Sequence, residues 1–244
     1  MKLFLSLVCL IAVLSVKAQT PGIINDPDGY VNIREGKSAS TPVIGKLKNG
    51  DIVTINDEEK GDWKSIEYFS EDDLRFPDTL KQKRKTIFSP GYVHKSRIIS
   101  FNELPKLTYK TGIGFITPTP INGKIDTVNI SINVITFKAI LHKIAKRGGS
   151  VDKIDGKQPW GIDGQLPRKE IKSITLTING IRVDFPKESY DDLFEPGHNQ
   201  EFKYDKNDNI YLHTQNSDGA GAYDAVWVIN NGKLMRRYIS NLDA

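Results

Sequence analysis

The dipeptide Asn-Gly occurs four times in this sequence of 244 residues, at positions 49–50, 122–123, 179–180 and 231–232. Each pair lies between runs in which apolar and polar residues alternate, which is typical of half-buried strands. Both residues tolerate positive φ, which the two-residue turns of β-hairpins require. Each pair therefore predicts a hairpin, and together they predict a mainly β protein with antiparallel sheets.

The first 18 residues have the features of a signal peptide. Lys2 precedes an apolar run from Leu3 to Val16, and Val16-Lys17-Ala18 offers small residues at a cleavage site. The apolar run, 14 residues long, is shorter than the ~20 residues that span a bilayer. We expect cleavage after Ala18 and an exported protein, periplasmic or secreted, without stable membrane insertion.

The sequence offers few residues for metal or cofactor chemistry. Cys9 is the only cysteine and lies in the apolar run, and none of the four histidines has metal-ligand spacing or a carboxylate on the same strand face. In residues 205–209, side chains with possible calcium-binding oxygens occupy the first, third and fifth positions. The sixth position is Ile210, whereas an EF-hand loop needs glycine there. A hairpin loop is the simpler interpretation and an irregular calcium site the alternative. We expect no metal and no cofactor.

The charge of the chain does not favour a nucleic-acid partner. The 34 basic and 30 acidic residues give a net charge of +4, which falls to +2 when Lys2 and Lys17 are removed. Between Ser70 and Pro90, an acidic run at 71–73 precedes a basic run at 81–85. This segment is interpreted as a solvated loop, or alternatively as a loop that touches an anionic polymer.

The stretch from Gly22 to Ile99 carries an ordered set of motifs. They are Tyr-Val-Asn-Ile-Arg at 30–34, Val-Ile-Gly-Lys-Leu at 43–47, Gly50, Gly-Asp-Trp at 61–63 and Gly-Tyr-Val at 91–93. In this order the motifs resemble the bacterial SH3 domain family. The resemblance covers roughly a third of the chain and implies a small β-barrel at 22–99, exported and non-catalytic. Such a domain often attaches a partner domain to cell-wall peptides or to another protein.

The resemblance also implies which residues bind a ligand. The candidate groove aromatics are Tyr30, Trp63, Tyr68 and Tyr92. Trp63 could equally fill the core of the barrel. The sequence departs from the family pattern at Lys37, where proline commonly follows the glycine, and in the long 70–90 insertion, which could cover or replace a groove.

The rest of the chain is predicted to be a separate α+β domain at 121–244, preceded by a linker or edge segment at 100–120 that is rich in Pro, Thr, Gly and Lys. Apolar residues recur at helical spacing from Phe137 to Ala145, and Gly148-Gly149 follows. This pattern predicts one amphipathic helix that packs on an antiparallel sheet. Its basic face leaves contact with anionic lipid as the alternative. The domain resembles no family with a function that we can name.

The segment from Ser217 to Asp224 is the most distinctive loop of this domain. A strand is predicted after it, so it cannot cradle a phosphate at the start of a helix. It is interpreted as a wide hairpin loop, or alternatively as a recognition loop whose Asp218 and Asp224 accept hydrogen bonds from a basic partner or a sugar. Candidate stacking residues beside it are Trp160, Tyr223 and Trp227.

Three functions are compatible with these features. We favour an exported, non-catalytic binding protein whose barrel attaches to peptidoglycan or an envelope protein, while the second domain supplies another interaction surface. The alternative is a periplasmic inhibitor or immunity-type protein that presents the loop at 217–223 to a hydrolase. A cryptic hydrolase that depends on Asp218 or His213 comes third, because the sequence has no recognisable nucleophile motif.

Overall fold

The computed structural model describes residues 19–56, 60–69, 88–107, 109–110, 115–116, 119–121, 124–126, 128–198 and 200–241. Within these ranges the chain is mainly β, which confirms the prediction of antiparallel sheets. The described helical segments are 3-10 turns, and none of them has the length and apolar character to cross a membrane. These turns are Lys95–Arg97, Phe101–Glu103, Ala139–Leu141, Lys187–Ser189 and Gly219–Gly221. The predicted signal peptide and residues 70–87 lie outside the described residues.

The N-terminal part forms one seven-stranded antiparallel sheet. Its strands are β1 (Gln19–Ile24), β2 (Tyr30–Arg34), β3 (Val43–Lys48), β4 (Ile52–Asn56), β5 (Trp63–Phe69), β6 (Phe88–His94) and β7 (Ile98–Ser100). They lie in the order β3-β2-β6-β5-β4-β1-β7. Leu47 of one edge strand and Ile98 of the other pack in the same core cluster. The sheet therefore curls around its core as a barrel.

Asn49-Gly50 does not form the predicted hairpin. The strands on either side of it, β3 and β4, are not neighbours in the sheet. Gly50 does have a positive φ of 83°, and Asn49 Nδ2 donates to the carbonyl of Asp26 at 2.7 Å. The pair is a turn that carries the chain from one edge of the barrel across to strands on the other side.

The C-terminal part contains two larger sheets and two hairpins. In chain order its strands are β8 (Lys106–Leu107), β9 (Tyr109–Lys110), β10 (Phe115–Ile116), β11 (Thr119–Ile121), β12 (Lys124–Asp126), β13 (Val128–Thr136), β14 (Ile144–Arg147), β15 (Ser150–Ile154), β16 (Lys169–Ile178), β17 (Ile181–Val183), β18 (Gln200–Tyr204), β19 (Ile210–Asn216), β20 (Tyr223–Asn230) and β21 (Lys233–Asn241). The central sheet has the order β21-β20-β19-β18-β8 and the outer sheet β17-β16-β13-β10-β9. Strands β11 with β12, and β14 with β15, form separate pairs. The segment expected as a linker or edge thus supplies edge strands to both larger sheets.

Two of the other Asn-Gly pairs form the predicted hairpin turns. Ile178 pairs with Ile181 around Asn179-Gly180, and Asn230 pairs with Lys233 around Asn231-Gly232. All four turn residues have positive φ, as a type I′ turn requires. Residues 122–123 lie outside the described residues, although the flanking strands β11 and β12 pair antiparallel.

The central sheet is buried on both faces. Its side toward the outer sheet carries Trp227 and Leu212, which share a core cluster with Leu176 of β16. Its opposite side carries Tyr211 and Tyr238, which pack in one cluster with apolar residues of β1, β4 and the turn at 101–103. The molecule is therefore three layers of sheet, with the central sheet between the barrel and the outer sheet.

Polar contacts reinforce the packing of the barrel on the central sheet. Thr54 Oγ1 and the Tyr238 hydroxyl share a buried hydrogen bond of 2.6 Å, and burial raises the pKa of Tyr238. Arg236 Nη1 donates to Asp51 Oδ1 at 2.8 Å. These contacts join residues that are about 185 positions apart in the sequence, so they fix the relative orientation of the two parts.

The predicted amphipathic helix is wrong. Residues 139–141 form a 3-10 turn, and β14 and β15 follow as a hairpin. Gly148 and Gly149 have φ values of 58° and 90° and form the hairpin turn instead of ending a helix. Of the residues at helical spacing, Phe137 is buried, whereas Ile140 is exposed. After Pro186, residues Lys187–Ser189 form another 3-10 turn.

A buried ion pair joins the central sheet to the segment that precedes β18. Arg237 Nη1 and Nη2 donate to the two carboxylate oxygens of Asp192 at 2.6 and 3.1 Å. Both side chains are almost inaccessible to solvent, and burial lowers the pKa of Arg237 to about 10, so it stays charged at neutral pH. Trp227 Nε1 donates to the carbonyl of Ser189 at 2.9 Å and fastens the same segment.

Replacing one member of this pair leaves the other as an unpaired buried charge. We expect Asp192→Asn to lower the free energy of unfolding by about 3 to 5 kcal/mol, measured by urea denaturation. The control is Asp152→Asn, which removes the partner of the exposed Arg147 and costs less than about 1 kcal/mol. Equal losses in the two variants would contradict the structural importance of the buried pair.

Candidate functional site

One outward surface of the barrel carries three of the predicted aromatic residues. Val31 and Ile33 of β2 point into the core, so Tyr30 and Arg34 point outward, because side chains alternate along a strand. The register places Arg34 opposite Tyr92, and Trp63 opposite His94 on the next strand. We call the surface formed by Tyr30, Trp63 and Tyr92 the aromatic face.

The aromatic face is large enough to hold a short extended peptide. Tyr30 precedes Arg34 by four positions, about 13 Å along the strand at ~3.3 Å per residue. Trp63 lies two strands away from β2, or about 10 Å across the sheet. Tyr30 is 39% exposed, while Tyr92 and Trp63 are half-buried. The three side chains thus frame a surface that about four extended residues would cover.

Cations flank the aromatic face. Lys46 Nζ lies 3.8 Å from the centre of the Tyr30 ring, and Lys37 Nζ lies 5.6 Å from that of Tyr92, both within cation–π range. Arg34 Nη1 donates to the carbonyl of Thr41 at 2.7 Å and holds the loop that carries Lys37. Sequence reasoning missed these lysines as site residues, because the contacts join separate segments.

Trp63 and His94 pack edge to face at one side of the aromatic face. Their ring centres are 5.6 Å apart at an angle of 84°. The backbone N–H of Ser96 donates to His94 Nδ1 at 3.3 Å, so a neutral His94 carries its proton on Nε2. Trp63 lies outside the barrel's core cluster, so the alternative that it fills the barrel core does not hold.

Tyr68 is a core residue instead of a groove residue. It is 9% exposed and packs inside the barrel. Beside it, Gly91 leaves room for Ile33, since a Cβ at position 91 would lie 2.3 Å from Ile33 Cγ2. Alternation along β5 explains the correction: Trp63 and Tyr68 are separated by an odd number of positions and so face opposite sides.

The barrel and its aromatic face coincide with a known family. Residues 29–98 match the family model described as bacterial SH3 domain. This part of the chain is similar to bacterial SH3 domains. The match includes β2 to β6, and therefore all three residues of the aromatic face. It confirms the resemblance seen in the sequence. Among curated proteins, none matches the chain.

A second candidate site lies between the SH3 domain and the central sheet. This interdomain cleft has a volume of about 560 Å³ and is lined by residues that include Phe101, Glu201, Lys203, His213 and Asp224. His213 Nε2 lies 2.9 Å from Asp224 Oδ1, and both side chains are buried. The Phe101 and His213 rings meet edge to face at 5.8 Å. The cleft therefore places an acid–base pair beside an apolar ring.

Sequence analysis missed this cluster because its members come from three strands. Glu201 of β18 pairs directly with His213 of β19, and Asp224 of β20 lies diagonally across from His213. Neither carboxylate lies on β19, the strand that carries His213. The sequence does show that Glu201 and Lys203 share one face of β18 and that His213 and Gln215 share one face of β19. Only the register between these two strands shows that the two faces meet.

Lys203 and Glu201 form the charged floor of the interdomain cleft. Lys203 is 1% exposed, and its Nζ donates to the carbonyl of Phe101 at 2.6 Å. Burial lowers the pKa of Lys203. Partial burial of Glu201 opposes its ionisation, but the hydrogen bond from Lys106 and the charges of Lys203 and His213 outweigh burial, so its pKa lies below the ordinary value. Among the described residues that line the cleft, there is no serine or cysteine.

The loop at 217–224 does not form the expected stacking surface. Tyr223 is fully buried and its hydroxyl donates to the carbonyl of Phe194 at 3.0 Å, while Trp227 belongs to the core. Asp218 is exposed, and Ser217 Oγ donates to the carbonyl of Gly161 at 2.8 Å, which holds the loop in place. Asp218 and His213 line different cavities. The structure therefore does not bring together the two residues considered for a hydrolase.

The loop at 205–209 is organised by its own hydrogen bonds. Asp205 Oδ1 accepts from the backbone N–H groups of Asn207 and Asn209 at 2.8 and 3.0 Å. Asp205 Oδ2 accepts from the Tyr211 hydroxyl at 2.8 Å. These contacts occupy the carboxylate and support the hairpin-loop interpretation. In the described part of the chain, no group of three or more His, Asp or Glu side chains could hold a metal ion.

The depressed pKa of Glu201 predicts a pH dependence of the interdomain cleft. Because the folded pKa is below the unfolded one, the Glu201 contribution to stability is present above the unfolded pKa and is lost as pH falls through the folded pKa. We expect Lys106→Gln, which removes the 2.6 Å partner, to raise the pKa of Glu201, measured by NMR titration of its carboxyl carbon.

The control for this titration is Lys233→Gln, which removes an exposed lysine at the hairpin turn between β20 and β21. The Glu201 pKa should be unchanged in that variant. An unchanged pKa in Lys106→Gln would show that Lys106 does not hold Glu201 in its ionised form.

Proposed function

We propose that this protein is an exported, non-catalytic binding protein whose bacterial SH3 domain attaches to peptidoglycan peptides through the aromatic face. The observation that carries the proposal is the combination of three outward aromatic side chains with two lysines in cation–π range. Bacterial SH3 domains are binding modules and are often related to the cell wall. Export follows from the signal peptide expected at residues 1–18.

The chemistry of the aromatic face suits a peptide that carries carboxylates. Aromatic side chains and arginine contribute most of the binding energy in many interfaces. Arg34, Lys37, Lys46 and Lys48 are the cations on or beside this face, while Glu67 is a carboxylate on the outward side of β5. Peptidoglycan stem peptides are short and carry free carboxylates, so they match both the length and the charge of the surface. An envelope protein with an extended acidic segment is the alternative ligand.

The SH3 domain uses different strands for its two surfaces. Ile23 and Ile52, from β1 and β4, face the central sheet, whereas the aromatic face lies on β2, β5 and β6. A ligand can therefore bind without separating the barrel from the C-terminal sheets. We infer that attachment through the SH3 domain holds the C-terminal sheets in one orientation relative to the ligand, as an adaptor requires.

A second candidate function is that of a periplasmic inhibitor or immunity-type protein. The observation that favours it is the loop at 218–220, which is exposed but fastened at Ser217. A preorganised loop loses little conformational entropy when it binds a partner enzyme. This function would use a loop of the C-terminal part instead of the aromatic face, so Asp218→Ala separates the two proposals.

Co-sedimentation of the full chain from Gln19 with purified peptidoglycan tests the first proposal. We expect Tyr92→Ala and Trp63→Ala each to weaken binding by about tenfold, the effect of losing a contact worth ~1.4 kcal/mol. Asp218→Ala should bind like the unchanged chain.

Lysine variants provide a matched control for the charge of the aromatic face. Lys46→Ala removes the cation over Tyr30, and Lys233→Ala removes an exposed lysine far away along the chain. Only Lys46→Ala should weaken binding to peptidoglycan. Binding that survives all changes to the aromatic face would remove that face as the site. No binding by the unchanged chain would remove peptidoglycan as the ligand.

A further inference from the structure

Two adjacent aliphatic side chains project from the C-terminal part of the molecule. Ile140 is 91% exposed and Leu141 is 70% exposed, the highest values among the large hydrophobic residues described. Both lie on the 3-10 turn Ala139–Leu141. We call this pair the aliphatic tip. Single exposed hydrophobic residues are common on soluble proteins, but a neighbouring pair with so little burial needs an explanation.

Phe137 and His142, which flank the aliphatic tip in the chain, hold the turn in place through side-chain contacts. The buried Phe137 stacks on the His142 ring, with the ring centres 4.6 Å apart and an angle of 18°. His142 Nδ1 lies 2.7 Å from Asp155 Oδ2, and His142 Nε2 lies 3.2 Å from Glu170 Oε2. Both ends of the turn are thereby anchored to neighbouring elements. The exposure of the tip therefore follows from the fold around it.

The surroundings of the aliphatic tip are positively charged. Within the described residues, its neighbouring lysines make no ion pair, whereas the nearby carboxylates contact His142 or Arg147. All four are exposed: Lys138 and Lys143 flank the 3-10 turn in the chain, Lys146 lies on β14, and Lys169 pairs with Thr136, which precedes the turn. An apolar tip surrounded by unpaired cations complements a surface with a negative outer layer and an apolar interior.

We propose that the aliphatic tip inserts into the headgroup region of an anionic lipid bilayer. Ile140 and Leu141 would enter the boundary between headgroups and acyl chains, and the four lysines would contact the lipid phosphates. Binding to such a surface depends on the buried apolar area together with electrostatic attraction to anionic lipid. Because only two aliphatic side chains enter, the binding is peripheral and reversible. The proposal does not depend on the SH3 domain or its ligand.

Vesicle sedimentation tests this proposal with the full chain from Gln19. We expect binding to phosphatidylcholine vesicles that contain phosphatidylglycerol, little binding to phosphatidylcholine alone, and weaker binding at high salt. Ile140→Ser with Leu141→Ser should weaken binding about tenfold or more, because the apolar contribution is lost. The matched control is Ile181→Ser, which removes a 67% exposed aliphatic side chain on the hairpin at 178–181 and should have no effect.

Fluorescence distinguishes insertion from simple adsorption. Leu141→Trp should show a blue shift of tryptophan emission on phosphatidylglycerol-containing vesicles, whereas Ile181→Trp should show none. Thermal unfolding of each variant checks that the fold is retained.

Three results would overturn the proposal. The first is no binding of the unchanged chain to anionic vesicles. The second is equal binding with and without the aliphatic pair, which would indicate adsorption through charge alone. The third is self-association that requires Ile140 in the absence of vesicle binding, which would make the tip a protein–protein contact.

Discussion

Strand β20 runs through the middle of the molecule, and every residue of it except the last is buried. Its alternate side chains face two different layers: Trp227 packs toward the outer sheet, whereas Val226 and Val228 pack toward the SH3 domain. A strand with two buried faces requires a cover on each side. The SH3 domain is therefore part of the core packing of the C-terminal sheets, and its orientation is set by the same contacts that bury the central sheet.

This packing determines which surfaces are available for binding. The outward sides of β1 and β4 are covered by the central sheet, which leaves the outward sides of β2, β5 and β6 for the aromatic face. The interdomain cleft arises beside the covered region, where Lys203, His213 and Asp224 are withdrawn from solvent but do not fill the space between the layers. The aliphatic tip lies outside both regions, since the hairpin at 144–154 forms a separate small sheet. The proposed contacts with peptide and with lipid therefore use different residues.

Much of the fold could be predicted from local sequence. Alternating runs predicted antiparallel strands, the ordered motifs at 30–34, 43–47, 61–63 and 91–93 lie on or at the start of β2, β3, β5 and β6, and the pairs at 179–180 and 231–232 specified hairpin turns. The helix prediction failed because Gly148-Gly149 suits a hairpin turn as well as a helix end, and because apolar spacing from Phe137 to Ala145 does not reveal which residues are buried. The structure places Tyr30, Trp63 and Tyr92 of the candidate ligand-binding residues on one outward surface, whereas Tyr68 and Tyr223 are buried.

The sequence by itself determined the strand segments, two hairpin turns and the bacterial SH3 domain, because alternation, turn chemistry and ordered motifs are properties of neighbouring residues. The tertiary structure alone decided that the central sheet is covered on both faces and that Glu201, His213 and Asp224 meet in one cleft. It also decided that Ile140 and Leu141 remain exposed. Strand register and layer packing join residues that are far apart in the chain, so the local pattern of a strand does not specify what covers each of its faces.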